Sequence, residues 1–201
     1  MYSINKHCIL TPTASQNTYL GEHCSPKTPR EGIEKLVAAM YNKDKLEFDE
    51  GIEMSTSKLR SVLDAAGCCY EIIQQDKPIL SAMDAEGIYP VEKSAPTFVL
   101  QSEQGLIGCI VSMQNGRLDF ERLKAQFCFE KLKMADRKKI EKATGYSVGS
   151  VPLAALGLPI IFDKKLLCHY FVYGGTGNEL LTLKIKPQDI IKANEILGYF
   201  E

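Results

Sequence analysis

Beyond about residue 55 the chain is built of short apolar segments whose period keeps switching between that of a helix and that of a strand. Capping residues or glycines bound many of these segments. Such alternation excludes both a pure helix bundle and an all-strand sandwich, because neither tolerates a change of period every ten to fifteen residues. Leu59, Val62, Leu63 and Ala66 form an apolar stripe that predicts a helix from about Ser55 to Ala66, ended by Gly67. Cys69 to Ile73 reads as a strand and Ser81 to Glu86 as a short helix stopped by Gly87. Thr97 to Gln101 and Leu106 to Met113 read as buried strands, the second leading into an Asn115-Gly116 turn. Asp119 caps a helix carrying Phe120, Leu123 and Phe127, and the alternation of Phe129, Leu132 and Met134 predicts a strand after it. A basic helix over Asp136 to Thr144 is closed by Gly145. Leu158 to Phe162, His169 to Tyr173 and Leu180 to Ile185 are further strands, with Gly174-Gly175-Thr176-Gly177 as a turn. Pro187 opens a last helix with Ile190, Ile191, Asn194 and Leu197 on one side. The sum is an α/β (α+β) fold with a mixed sheet of about seven strands and surrounding helices.

Residues 1–27 are polar and aperiodic and read as an extension, so the domain is expected over 28–201. Thr28-Pro29-Arg30-Glu31 has the form of a capping box, followed at helical spacing by Ile33, Leu36, Val37, Met40 and Tyr41. Of the 201 residues 45% are hydrophobic and 24% charged, enough to build a core. No apolar run approaches the roughly 18 residues that span a bilayer, and Met1 to Leu10 lacks a secretory apolar centre. A cytoplasmic location without membrane contact is therefore expected.

Seven cysteines without a CxxC pair read as reduced thiols filling the core, and neither a metal nor any other cofactor is expected. His7-Cys8 and His23-Cys24 match no zinc spacing. The net charge is −1, but residues 121–142 concentrate Lys and Arg, which fits a phosphate-facing strip or a solvated helix face. Gly145-Tyr146-Ser147-Val148-Gly149-Ser150-Val151-Pro152 joins a helix to a loop that can aim backbone N–H groups at a carbonyl or phosphate oxygen, and a tight turn explains it equally well. No nucleophile–base set, HExxH or GxSxG motif is present, and His169 reads as structural.

Several segments, in order, resemble the YbaK-type aminoacyl-tRNA editing domains, also called prolyl-tRNA synthetase-associated domains. LRSVLDAAGCCYEII (59–73) resembles their opening helix and strand, APTFVL (95–100) their second strand, and GRLDFERL (116–123) their turn and Asp-capped helix. KATGYSVGSVPLAALGLPIIFDKKLL (142–167) is similar to their most recognisable stretch. YGGTGN (173–178) and LKIKPQDIIKAN (183–194) resemble their glycine turn and closing helix. The resemblance covers about 57–197.

It implies a partly barrel-like mixed sheet with a groove for the 3′ end of an aminoacylated tRNA. The implied activity is hydrolysis, in trans, of the ester that joins a wrong amino acid to its tRNA. An aminoacyl-tRNA synthetase is a second partner that the resemblance allows. A non-catalytic module that binds tRNA or protein through the same groove is the alternative. On the resemblance, Gly149 and Ser150 are the catalytic backbone element, Pro152 shapes the aminoacyl pocket, and Gly174, Gly175 and Thr176 form a neighbouring wall. Thr97 faces the site, and Asp163 holds either a turn or a polar ligand group. Many family members carry a lysine directly before the threonine of the second strand, where this chain has Pro96. The nearest lysine is Lys93, which is either a displaced catalytic lysine or a solvated surface residue.

Overall fold

The structure is a computed structural model and describes residues 56–80 and 82–201. The helix expected after Thr28 and the His7-Cys8 and His23-Cys24 pairs lie outside the described residues. The first described helix, α1, runs over 56–65. Leu59 and Leu63 are fully buried on it, and Gly67 follows at a φ of 62°. That positive φ is why a glycine ends the helix: a Cβ is strained there.

Among the described residues eight strands follow: β1 Tyr70–Gln74, β2 Thr97–Ser102, β3 Gly105–Ile110, β4 Leu132–Met134, β5 Ile160–Asp163, β6 Val172–Gly175, β7 Leu181–Ile185 and β8 Ile196–Phe200. Three more helices are interleaved: α2 Phe120–Phe127, α3 Arg137–Thr144 and α4 Pro187–Lys192. The Asp119 carboxylate accepts from the Arg122 N–H at 3.0 Å, and that of Asp136 accepts from the Lys138 N–H at 3.0 Å, so both helices start on side-chain caps.

The strands form two sheets, where one partly barrel-like sheet was expected. One sheet is antiparallel, in the order β1-β7-β6. The other is mixed, in the order β4-β2-β3-β5-β8, with parallel pairing of β3 to β5 and of β5 to β8. This larger sheet is buried on both faces. Val99, Ile110, Ile160 and Phe162 join one core cluster with α1 and the smaller sheet, while Leu100, Cys109, Ile161 and Phe200 join another with Leu123 of α2. Two-sided burial explains why β5 reads as an unbroken apolar run.

Three local expectations are corrected. Gly174 and Gly175 are paired strand residues opposite Leu183 and Thr182, and the turn begins after them. A Cβ on Gly174 would stand 2.6 Å from Leu153 and 2.8 Å from the Ala95 carbonyl oxygen, so these glycines mark close approach between segments. The strand expected through Met113 ends at Ile110, and Met113–Asn115 is a 3-10 turn. Leu197, placed at sequence level on the last helix, lies in β8 and is 49% exposed, because α4 stops at Lys192.

Candidate functional site

The free edge of β6 is bound by two irregular segments. The Ala95 N–H donates to Tyr173 O at 2.7 Å, Ser94 bridges Tyr173, and the Leu153 N–H donates to Gly175 O at 3.0 Å. A cavity of about 230 Å3 opens where these segments converge. Its walls come from Ile79 and Leu80, from Tyr89, from Ser94, Pro96, Thr97 and Phe98 at the entry to β2, from the loop Val148 to Val151, and from β6, β7 and the turn between them.

Gly149 enters this wall at a φ of 103°, which an L side chain rarely adopts. A Cβ there would also touch Leu80 at 3.5 Å. The Ser150 N–H and hydroxyl both donate to Ser147 O, at 3.1 and 3.2 Å, which folds the loop on itself and leaves its apolar side, Val148 and Val151, toward the cavity. The Tyr89 and Tyr173 rings, also in the lining, stack with centroids 4.5 Å apart and planes 5° apart. Burial pushes the Tyr89 phenol above its ordinary pKa, against a smaller downward pull from the hydroxyls of Ser94 and Thr182. At neutral pH it is therefore a protonated donor.

Two hydroxyls stand out. Among the described residues Thr97 Oγ1 is buried and has no hydrogen-bond partner, and Ser94 Oγ makes no hydrogen bond of ordinary geometry, although it lies near the Tyr89 phenol. Leaving such a group buried and unpaired costs roughly 1–3 kcal/mol. Both residues line the cavity, where rotation about χ1 would present the oxygen to a bound molecule. Among the described residues that line it, none carries a formal charge. The chemistry on offer is hydroxyl and amide hydrogen bonding inside an apolar, partly enclosed space.

Of the residues singled out from the sequence, Gly149, Ser150, Thr97, Gly174 and Gly175 share this wall. Pro152 is buried behind it, against β6. The Thr176 hydroxyl is fully buried and donates to Leu181 O at 3.1 Å, holding the β6–β7 turn. Asp163 is fully buried away from the cavity, where its carboxylate accepts from the Ser112 N–H at 2.8 Å, the Lys165 N–H at 3.0 Å and the Asn115 side chain. It thus fixes the turn after β3. Lys93 closes the 3-10 turn Val91–Lys93 and does not line the cavity. Sequence reasoning missed Tyr89, Ser94, Ile79 and Leu80, which lie in aperiodic chain with no motif to mark them.

These features define a mixed α/β domain with an uncharged cavity walled by glycine backbone and hydroxyls. Residues 79–193 match the aminoacyl-tRNA editing domain family, and the chain belongs to it. Solved structures share the fold. One, of hypothetical protein APE2540, has a TM-score of 0.63 at 22% identity, covering 71% of this chain and 97% of that one. Another, described as a putative trans-editing enzyme for prolyl tRNA synthetase, has a TM-score of 0.62 at 19% identity, covering 72% and 95%. No curated protein matches the chain. Among the described residues no helix is long and apolar enough to cross a membrane.

Proposed function

We propose that this editing domain is a trans-acting aminoacyl-tRNA deacylase, which hydrolyses the ester of mischarged tRNA in the cytoplasm. The observation that carries this reading is the pair of under-satisfied hydroxyls, Ser94 Oγ and Thr97 Oγ1, in a cavity without charged groups. An aminoacyl ester is already activated, so its hydrolysis needs donors for the developing oxyanion and a positioned water more than it needs a nucleophile. In this reading the Gly149 loop and Thr97 flank the scissile carbonyl, with Ser150 shaping the loop. Gly174 and Gly175 let the segment from Val151 to Leu153 pack tightly on β6 and so close that wall, with Pro152 and Thr176 supporting it from behind. Lys93 acts on the RNA outside the cavity, and Asp163 serves the fold by holding the turn after β3. One well-placed oxyanion donor is worth about 10²–10³ in kcat.

The test is release of amino acid from mischarged tRNAs, starting with Ala-tRNA(Pro) and Cys-tRNA(Pro). Turnover that Thr97→Val reduces supports the reading, and no hydrolysis at high enzyme concentration sinks it. The second reading, a module that binds tRNA or a synthetase without turnover, is favoured by Pro96 in the lysine's place and by the uncharged wall. Tight tRNA binding with no release of amino acid would select it.

A further inference from the structure

The face of the small sheet that carries part of the cavity wall continues beyond it. Gly175 pairs with Thr182, and two residues along, Tyr173 pairs with Lys184, so both pairs point to the same side. Lys184 Nζ in turn lies 5.2 Å from the centre of the Phe171 ring. The Tyr170 ring meets Phe171 edge to face at 4.6 Å, and Lys186 Nζ sits 5.1 Å from the centre of Tyr170. Tyr173, Phe171 and Tyr170 therefore lead outward from the cavity, accompanied by Lys184 and Lys186.

Tyr170 is 73% exposed, which is costly for a ring that serves no core. Hollows of about 260 and 660 Å3 flank it, and Lys186 borders both. Glu71 holds Lys184 at 2.7 Å and Asp189 holds Lys192 at 2.7 Å, while Lys186 has no ion-pair partner among the described residues. Aromatic rings beside lysines, on an open face, suit unstacked nucleobases and the phosphates between them. A peptide partner would have no need of a cation over both Phe171 and Tyr170.

We infer that this strip, Tyr173–Phe171–Tyr170 with Lys184 and Lys186, binds a single-stranded RNA segment running out from the cavity. The inference extends the deacylase reading, since it supplies a track for the unpaired 3′ end whose ester enters the cavity. Phe171 and Tyr170 stack bases, and Lys186 meets a phosphate.

The experiment measures fluorescence anisotropy of a labelled, uncharged single-stranded RNA of about twelve nucleotides against the full chain. Tyr170→Ala and Lys186→Ala each weaken binding at least about fivefold, and Tyr170→Phe retains it. Lys186→Ala also lowers the salt slope by about one. Near-UV circular dichroism verifies that each variant is folded. Unchanged affinity in the folded alanine variants overturns the inference. So does equal binding of fully paired duplex RNA, or displacement of the RNA by polyglutamate as effectively as by unlabelled RNA. Because no ester is involved, the result stands whether or not the chain hydrolyses aminoacyl-tRNA. Where it does, the two variants raise KM for the tRNA, leave kcat unchanged, and leave hydrolysis of a small aminoacyl ester at the wild-type rate.

Discussion

Gly175 of β6 lies so close to Val151 that a Cβ on the glycine would stand 2.3 Å from the Val151 carbonyl oxygen. Backbone, not a flexible side chain, occupies that space, so the strand and the loop must separate to admit a methyl group. Gly175→Ala is expected to destabilise the protein by about 1–3 kcal/mol and to widen the cavity wall. Urea unfolding checks the first part. An unchanged midpoint would mean that the loop yields freely.

Thr97→Val separates ligand binding from folding. The hydroxyl removed is buried and unpaired, so its loss is expected to leave stability unchanged or raise it by about 1 kcal/mol. Deacylation or ligand affinity should nevertheless fall. A variant that is less stable than wild type would show that Thr97 Oγ1 has a structural partner.

Asp163→Ala should behave in the opposite way. Its carboxylate satisfies the buried Ser112 N–H and caps the 3-10 turn after β5 through the Lys165 N–H. Losing these acceptors is expected to cost about 2–3 kcal/mol. Activity per folded molecule should hold, measured at a temperature where the variant remains native.

Asp189 makes a pH-dependent contribution. The Lys192 ammonium at 2.7 Å, helped by the Cys69 N–H, holds its carboxyl below the usual range against the upward push of burial. A depressed folded pKa means that the contribution is complete above the unfolded value of about 3.9 and is lost as pH falls through the folded value. Asp189→Asn should therefore lower Tm at neutral pH. Its deficit should shrink as the pH drops below about 4. A deficit constant down to about pH 2 would assign the effect to packing.

What the sequence made legible follows from which signals are local. Asp119, Asp136, Gly67 and Gly145 mark helix ends because capping is settled within one turn, and the structure has those ends. β8 was missed because Leu197 fits the helical spacing of Ile190 and Ile191, while strand pairing with β5, about thirty-five residues earlier, leaves no local trace. Gly174-Gly175 reads as a turn because glycine signals both bends and close contacts, and only the Leu153 and Val151 neighbours tell them apart. The Gly149 loop was visible through its glycine and proline. Tyr89 and Ser94 were not, since their roles depend on Tyr173 across the sheet edge.

Cys109, near the end of β3, has no exposed surface, and burial pushes its thiol well above the ordinary range. Cys69, Cys128 and Cys168 are exposed. The chain thus carries its own tracer of internal opening. An alkylating reagent will mark the exposed thiols first, while Cys109 stays silent until the large sheet parts. The rate at which that one sulfur becomes labelled would time the sheet's excursions without any dye being engineered into the protein.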